Sequence, residues 1–350
     1  MALDQQGKVD IVAVAKAAKV SISTVSRSFN HPDLVKLATR KRIDRAVKKL
    51  GYIRNRAAQA MHGKRSGTIG LVVPTIDHAI FAEVIQAFSD ALDAEGFTIL
   101  MATHGFDLDR EYAVVRKLLE HRVDGLALIG FDHSEATYNL IQQQAIPTLA
   151  IWNYDADSPV SCVGVDNAEA GQLAAAHLLQ LGHRDIGLVF PQTSGNDRAR
   201  DRLEGALRTL HAAGVEIPST RRYEAPYSIA EAKTACAALF AQHPRPTAIL
   251  CGNDVIAQGA VFAAGQVGLK IPKDVSIIGI GDFRGSGEME PPLTTIRIPA
   301  RGIGRAAGEQ IVQSVAGEDN AVTRQQLQLK LFRRGTTQDL AGATDTANPR

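Results

Sequence analysis

Residues 20–27 have the sequence VSISTVSR, and they follow a compact alanine-rich stretch, IVAVAKAA, at 11–18. Together the two stretches predict two short helices joined by a tight turn, with Asp10 capping the first helix. The second helix begins with hydroxyl side chains and carries Arg27 one turn later. Hydroxyls and free N–H groups at a helix N-terminus can hold phosphates, while exposed side chains reach base edges. The stretch therefore predicts a helix-turn-helix that inserts into a DNA major groove.

The distribution of charge supports this interpretation. Although the net charge is only +2, residues 1–65 contain 15 Lys and Arg against 4 Asp and Glu, a balance of +11, whereas residues 66–350 contain 24 against 33, a balance of −9. A basic N-terminal unit attracts the phosphate backbone, and an acidic remainder limits nonspecific binding by the rest of the chain. The alternative is that these cations only solvate a small helical domain. The helix-turn-helix spacing favours DNA.

A third helix is predicted at 39–50, where Ile43, Val47 and Leu50 recur at helical spacing and close a minimal three-helix core over residues 1–54. Gly51 ends it. Residues 55–63, NRAAQAMHG, predict a further short helix whose large apolar side chain is Met61. A helix this short is unstable alone, so we expect it to order on a partner. Residues 55–66 are thus a hinge and linker.

From Gly67 onward, apolar strands alternate with amphipathic helices, and the alternation occurs twice, with a break near 162–167. Continuous apolar strands with helical crossovers predict parallel sheets that are covered on both faces. The fold class is therefore α/β, with the three-helix head followed by two doubly wound subdomains and a ligand cleft at the carboxyl ends of the strands. The predicted strands are 68–74, 97–103, 125–130, 147–152, 185–190, 248–252 and 276–281, and the predicted helices are 81–95, 109–121, 168–181, 198–213, 229–242 and 255–267.

Several classes of protein are disfavoured. The 350 residues contain no apolar run long enough to cross a membrane and no apolar core of a secretory signal, so we expect a cytoplasmic protein. Cys162, Cys236 and Cys251 lie far apart without metal-ligand spacing, which predicts three buried thiols and neither metal nor cofactor. GxSxG, HExxH and Walker A sequences are lacking, so an enzyme is not expected.

A set of sequence motifs runs along nearly the whole chain: VAVAKAAKVSISTVSRSFN, TRKRIDRAVKKLGYIRNRAAQAM, SGTIGLVVP, RVDGLALIG, HLLQLGHRDIGLV, RLEGAL, PTAILCGNDVIAQGA, IPKDVSIIGIGDF and PPLTTIRIPARGIG. By these motifs the chain resembles the LacI/GalR family of transcriptional regulators. The resemblance implies a homodimer that binds a palindromic operator in double-stranded DNA and responds to a small effector in a periplasmic-binding-protein-like core at 67–340. It divides that core into subdomains of about 67–165 plus 297–324 and 166–296 plus 325–340. The tail, 341–350, lacks leucine heptads and is expected to be disordered.

Family positions imply roles in DNA binding. Arg27 suits a bidentate contact with guanine, and Met61 stands where a wedging Leu is common. For Thr24 and Ser26, capping or bonding within the helix is the alternative. Lys19 stands where the turn often has Gly, so a slightly different turn is expected. The implied base-reading residues are Ile22, Ser23 and Arg27, the phosphate-contacting residues are Ser21, Thr24, Ser26 and Asn30, and the hinge residues are Asn55, Ala58, Gln59 and Met61.

The same carry-over implies an effector site. Arg202 is its strongest residue, because the family's cleft Arg precedes a Gly by three positions, as RLEG does here. The residues expected to approach the ligand are Ile80, Phe81, Trp152, Arg198, Arg202, Tyr227, Asn253 and Gly281 with Asp282.

The chemistry of this site predicts an anionic ligand. Gly281 replaces an Asp that is frequent in the family, and Arg198 adds a cation, which together favour a sugar acid over a neutral sugar. The segments GIGDF and NDRARDRLEG are also similar to gluconate-type members. Two alternatives stay open: Arg198 pairs with Asp197, Asp201 or another acid and never meets ligand, and Trp152 and Tyr227 are wall or core rather than stacking platforms for a sugar.

Two other functions are less well supported. An exported solute-binding protein would share the core but would need a signal peptide and no basic head. A sugar-metabolising enzyme would need catalytic motifs, and GIGRAA at 302–307 matches a dinucleotide fingerprint only in form; its family position instead predicts glycines that permit close helix packing. A salt-dependent shift of DNA would distinguish a regulator from both.

Overall fold

A computed structural model describes residues 9–54, 65–77, 79–317 and 321–340, without the side chains of 79 and 80. The chain divides into two compact units, Met1–Ser66 and Gly67–Arg350.

The first unit is a three-helix bundle, as predicted. Its helices are α1 (Ile11–Ala18), α2 (Ile22–Asn30) and α3 (Leu37–Leu50), with a short 3₁₀ turn at Pro32–Leu34 between the last two. Val14, Val25 and Ile43 are fully buried where the three helices meet. The Asp10 carboxylate accepts a 2.8 Å hydrogen bond from the Ala13 N–H and so caps α1. Gly51 ends α3 with φ of 64°, as expected for a left-handed helix cap.

The turn between α1 and α2 places a lysine in a conformation that glycine prefers. Lys19 has φ of 55° and ψ of 49°, and its N–H bonds to the carbonyls of Ala15 and Lys16. The turn therefore keeps the left-handed geometry that a Gly would adopt without strain. In Lys19 the same geometry brings the Cβ close to the backbone and is destabilising.

The second unit alternates strands and helices. Its strands are β1 (Thr68–Val73), β2 (Thr98–Thr103), β3 (Gly125–Ile129), β4 (Thr148–Asn153), β5 (Ser161–Val165), β6 (Ile186–Phe190), β7 (Arg222–Glu224), β8 (Ala248–Cys251), β9 (Ser276–Gly281), β10 (Thr294–Arg297), β11 (Arg324–Gln326) and β12 (Lys330–Phe332). Its helices are α4 (Ala79–Ala94), α5 (Leu108–Glu120), α6 (Glu135–Gln144), α7 (Asn167–Gln180), α8 (Asp197–Ala212), α9 (Ile229–Phe240), α10 (Asp254–Gln266) and α11 (Ala300–Ala316), with a 3₁₀ turn at Ser219–Arg221.

These strands form two six-stranded sheets, so the predicted pair of α/β subdomains is confirmed. The first sheet has the order β11-β5-β4-β3-β1-β2, and the second has the order β12-β10-β9-β8-β6-β7. The described pairs are parallel except β10 with β12. Ile69, Leu71 and Ile151 in the first sheet and Ile186 and Ile278 in the second are almost fully buried, as parallel strands covered on both faces require.

The chain passes between the two sheets three times, after β5, after β10 and after β11. The predicted break at 162–167 overlaps β5, and the first passage follows directly after that strand. The strands and helices that were predicted for the second unit have bounds within two residues of those observed. The elements that were not predicted are β5, β7, β10, β11, β12, α6 and α11.

Helix α11 packs closely against α4, and glycine permits this contact. A Cβ on Gly304 would lie 2.3 Å from the carbonyl oxygen of Val84. Within 302–307, Gly304 thus serves helix packing, as predicted, and it lies in α11 rather than in a strand-to-helix turn of the kind that holds a dinucleotide.

The three cysteines are free and buried, which confirms the expected thiols. Among the helices of the described segments, none is both long and apolar enough to span a bilayer.

Candidate functional site

The start of α2 carries the predicted DNA-contacting residues of the first unit. Ser21 is the N-cap of α2 and accepts a hydrogen bond from the Thr24 N–H at 3.2 Å. Its Oγ also lies 2.8 Å from the hydroxyls of Ser23 and Thr24. The hydroxyl of Thr24 therefore takes part in the cap, as the alternative held, and the cap fixes the N–H groups of the first turn in one orientation.

Two larger side chains project from α2 into solvent. Ile22 is 46% exposed, which is high for an isoleucine, and Arg27 is also exposed. Further along the helix, the side-chain amide of Asn30 donates to Ser26 Oγ at 3.3 Å, and its oxygen accepts from Arg54. Asn30 and Ser26 thus connect α2 to the segment after α3, while Ile22 and Arg27 are available to a partner.

The predicted hinge residues, Asn55, Ala58, Gln59 and Met61, lie outside the described residues.

The second unit contains a small cavity between its subdomains, at the carboxyl ends of the strands. The first subdomain contributes Phe81, at the start of α4, and Trp152, near the end of β4. The second contributes side chains from α8 and from the segments that follow β7, β8 and β9. The lining residues are Phe81, Trp152, Arg198, Arg202, Tyr227, Asn253 and Phe283. Six of the predicted effector residues therefore surround one space.

This cavity has a volume of only about 30 Å³. A water molecule occupies roughly that volume in the liquid, so the space accommodates one or two waters. A ligand of six carbons fits only if the two subdomains separate or the lining side chains move.

Arg202 is held rigidly in the cavity wall. Its Nε donates to Asn167 Oδ1 at 2.8 Å, and Nη1 donates to the carbonyl of Gly252 at 3.2 Å. Burial lowers the pKa of Arg202 to about 10, so the guanidinium is still charged at neutral pH. Within the described residues these bonds use two of its five N–H groups. The glycine three positions after Arg202, Gly205, is also needed for helix packing, because a Cβ there would lie 2.0 Å from the carbonyl oxygen of Ala168 in α7.

Arg198 has the partner that the alternative named, and it also lines the cavity. Its Nη1 lies 2.8 Å from Asp197 Oδ1, and the two side chains are 6% and 4% exposed. The same nitrogen donates to the carbonyl of Ile129 at 3.3 Å. Asp197 therefore neutralises most of the charge that Arg198 would add, and Arg202 is left as the main source of positive potential.

Asp197 joins the two subdomains. Its Oδ2 accepts from the N–H groups of Phe131, at 2.5 Å, and Asp132, at 3.3 Å, in the loop that follows β3. Two residues after Arg198 along α8, Arg200 donates two hydrogen bonds of 2.7 and 2.8 Å to the Asp132 carboxylate, which raises the pKa of Arg200. We call these contacts the interdomain latch. They hold α8 against the loop that follows β3.

The structure does not bring Asp282 to the cavity. Its carboxylate lies 2.5 Å from Arg297 Nη2 and 2.7 Å from Arg334 Nη1, and its side chain is 4% exposed. These two cations satisfy both oxygens, so the carboxylate of Asp282 is turned into a separate ion-pair cluster. Gly281 precedes it with φ of 141°.

Ile80 lies in α4, and its side chain is outside the described residues.

Three residues of this region were missed by the sequence analysis. Phe283 lies on the cavity wall beside Asp282 in the quoted GIGDF segment. Phe106 stacks on Tyr227 with centroids 5.8 Å apart, and the Nδ2 of Asn196 donates to the Tyr227 hydroxyl at 2.9 Å. Phe106 lies in a loop of the opposite subdomain with φ of 65°, so no local pattern indicates that it meets Tyr227.

Comparison with known proteins agrees with this architecture. The family described as "Periplasmic binding proteins and sugar binding domain of LacI family" matches residues 66–334, and "Bacterial regulatory proteins, lacI family" matches residues 10–55. These are the two-subdomain unit and the three-helix unit.

Individual relatives align over most of the chain. The repressor PurR of Aliivibrio salmonicida is 32% identical over 305 residues, covering 86% of this chain and 91% of PurR. The regulator GntR of Pseudomonas aeruginosa is 30% identical over 336 residues, covering 95% of this chain and 96% of GntR. A solved structure of the lac repressor dimer bound to operator and the anti-inducer ONPF has a TM-score of 0.82 at 28% identity, covering 95% of this chain and 99% of that one.

A DNA-binding head joined to a two-lobed ligand-binding core defines a ligand-responsive class of transcription factor. The chain belongs to the LacI family of bacterial DNA-binding transcriptional regulators.

Proposed function

We propose that this protein is a repressor whose affinity for a palindromic operator is controlled by a small anionic effector, with a sugar acid as the preferred class. The observation that carries the proposal is a small cavity between two subdomains with a charged Arg202 in its wall, in a chain that begins with a basic helix-turn-helix. No catalytic role is proposed for these residues.

DNA recognition is assigned to α2. Arg27 is exposed and carries a planar fork of donors that matches guanine, while Ile22 offers apolar contact to a thymine methyl group. The capped first turn of α2 presents N–H groups and hydroxyls to phosphates. Met61 is proposed to wedge into a central base step from the hinge.

The functional species is proposed to be a homodimer. Phe262 in α10 is 55% exposed, the adjacent Val267 is 50% exposed, and Ile229 in the neighbouring α9 is 39% exposed. Exposed apolar side chains on neighbouring helices are typical of protein interfaces. A second copy of the chain is the partner that a palindromic operator requires, because a two-fold DNA site matches a two-fold protein.

The effector class follows from the chemistry of the wall. Arg202 supplies a desolvated cation, and Arg198 supplies further donors although Asp197 offsets its charge. Donors without a matching carboxylate favour a ligand rich in acceptor oxygens, such as a sugar acid. Aromatic rings surround the same space and could stack on a flat base, so a purine is included in the tests.

The DNA assignment is tested with Arg27→Ala. Loss of a bidentate base contact should weaken binding to a selected operator by about 1–3 kcal/mol and relax the preference for one base pair in each half-site. Competition between operator variants measures this, with Lys48→Ala on the far helix as the control. An unchanged base preference would refute the role of Arg27.

The effector assignment is tested by calorimetry on the full chain with D-gluconate, D-sorbitol, D-glucose and hypoxanthine. We expect D-gluconate to bind and D-sorbitol, its neutral counterpart, to bind much less well. Arg202→Ala should abolish this binding and the response of the operator complex to gluconate, yet leave operator affinity intact, because a ligand shifts only an equilibrium whose states it binds differently. Tight binding of D-glucose or hypoxanthine without gluconate would overturn the anionic class and leave the regulator assignment standing.

A further inference from the structure

Trp152 has an unusual backbone conformation at the edge of the cavity. Its φ is 86°, a region that bulky L-residues rarely adopt. Gly164 lies opposite it on β5, and a Cβ at that glycine would lie 2.3 Å from the carbonyl carbon of Trp152. Such strained residues concentrate at functional sites, where the surrounding structure holds them in place. The neighbouring strand is thus adapted to the position of this tryptophan.

The indole ring is not available as a stacking platform. Trp152 is 2% exposed, and its ring is tilted by 51° against Phe81 at a centroid distance of 5.5 Å. A sugar can stack only on an open ring face. Of the two roles that the sequence left open for Trp152, the structure therefore favours a place in the cavity wall over stacking on a sugar.

The polar atom of the ring is nevertheless unsatisfied. Trp152 Nε1 is buried without a hydrogen-bond partner among the residues that the structure describes. Buried N–H groups are almost always paired, because an unpaired donor loses its hydration without compensation. In the described part of the core unit, the other such side-chain atoms are His104 Nδ1 and Asn196 Oδ1, and they belong to residues that contact Phe106 and Tyr227 around the same cleft.

Trp152 differs from those two because it lines the cavity itself, together with Arg202. Its N–H is fixed by the packed ring and cannot turn away, so a partner must come to it. In the described structure this atom is closed to a water-sized molecule, so a partner reaches it only when the cavity lining moves, as entry of a ligand requires.

We propose that Trp152 determines effector specificity as a hydrogen-bond donor, its indole N–H binding one oxygen of the effector carboxylate that also meets Arg202. The inference rests on the cavity being the effector site, as proposed above. It predicts that a ligand lacking an acceptor at that point is rejected, because the donor is left desolvated and unpaired in the complex.

The chain has a single tryptophan, which makes the test clean. A ¹⁵N-labelled full chain has one indole N–H resonance, and it is titrated with D-gluconate, sodium formate, D-glucose and hypoxanthine. We expect gluconate to move the indole proton downfield with the same midpoint that calorimetry gives. Formate, a bare carboxylate, should move it in the same direction at higher concentration.

The matched variant replaces Trp152 by β-(3-benzothienyl)alanine, in which sulfur takes the place of the N–H in a ring of nearly the same shape. Growth of a tryptophan auxotroph on this amino acid changes position 152 alone. We expect affinity for gluconate to fall about 10- to 100-fold, the usual loss for a hydrogen bond to a charged acceptor. Unchanged operator affinity and thermal midpoint serve as controls for folding.

Each outcome decides the matter. The inference is overturned if the benzothienyl variant binds gluconate within twofold of the affinity of the parent. It is also overturned if any ligand binds and leaves the indole resonance in place, or if no compound of the panel moves that resonance. If hypoxanthine binds with the indole shift and gluconate does not, the sugar-acid class fails and the donor role of Trp152 stands.

Discussion

Asp197→Asn is the substitution that most directly tests the interdomain latch. In the parent, Oδ1 accepts from the N–H and Nη1 of Arg198, both at 2.8 Å, and Oδ2 accepts from the N–H groups of Phe131 and Asp132. An amide presents an NH₂ group at one of these two positions. Whichever way the new side-chain amide is turned, two N–H donors then face another donor instead of an oxygen.

The size of the effect follows from burial. The Arg198 and Asp197 side chains are 6% and 4% exposed, so the variant leaves a buried guanidinium without its counter-charge. Removal of one partner of a buried ion pair costs about 3–5 kcal/mol. The form with a closed cleft should therefore be destabilised by about that free energy. Opening of the cleft recovers part of the loss, because water then reaches the guanidinium of Arg198.

Two measurements capture the two routes. If the lost free energy destabilises the folded chain as a whole, the midpoint of thermal unfolding of the full chain should fall by up to about 10 °C. If the cleft opens instead, quenching of Trp152 fluorescence by acrylamide should increase. Asp201→Asn is the matched control on the same helix. Burial raises the pKa of Asp201 to about 6, with the Asp197 charge adding to it, so loss of its charge should be neutral or stabilising at pH 7. If Asp197→Asn changes neither the midpoint nor the quenching, the latch does not hold the subdomains together.

Two further predictions concern the turn and the pH response. Lys19→Gly should stabilise the helix-turn-helix unit by about 0.5–1 kcal/mol, because the backbone at this position is left-handed. Lys16→Gly, inside α1, should instead destabilise the unit by about 1 kcal/mol. Urea unfolding followed by circular dichroism measures both changes, and an equal loss of stability in the two variants would contradict the reasoning. Burial lowers the pKa of His177 to about 4, so the unfolded chain takes up a proton below pH 6.5 before the folded chain does. The stability that neutral His177 provides is thus complete above pH 6.5 and declines as pH falls towards 4, by up to about 1.4 kcal/mol per pH unit. His177→Gln should flatten the slope of stability against pH in that window, and an unchanged slope would exclude His177 as its source.

The sequence by itself determined the elements whose signals are local. Helical spacing of Val47 and Leu50 with Ile43, the capping Asp10 and the stop at Gly51 defined the three-helix unit. Apolar runs with helical crossovers defined most strands of the two sheets, because a strand covered on both faces needs no partner to be recognised.

Short strands at the sheet edges carry no such signal. Residues of β11 are polar and exposed along its length, and β12 has only three residues, so neither sequence differs enough from that of a loop to be recognised. Their places next to β5 and β10 follow from the third passage of the chain between the subdomains. Pairing over that separation is decided by the rest of the fold rather than by local preference.

The site shows the same division. Resemblance to a family brought Phe81, Trp152, Arg202 and Asn253 together correctly in one cavity wall, since these positions follow from the scaffold. Only the tertiary structure turned the carboxylate of Asp282 away to Arg297 and Arg334.

For Arg198 the sequence left several acids open as partners, and the tertiary structure selected Asp197. Only the tertiary structure set Phe106 against Tyr227 and left the N–H of Trp152 without a partner among the described residues. The direction of a side chain and the identity of its partner depend on elements far apart in the chain, and these meet only when the two subdomains pack. A sequence therefore indicates which residues reach the cavity, whereas the fold decides which of their polar atoms remain for a ligand.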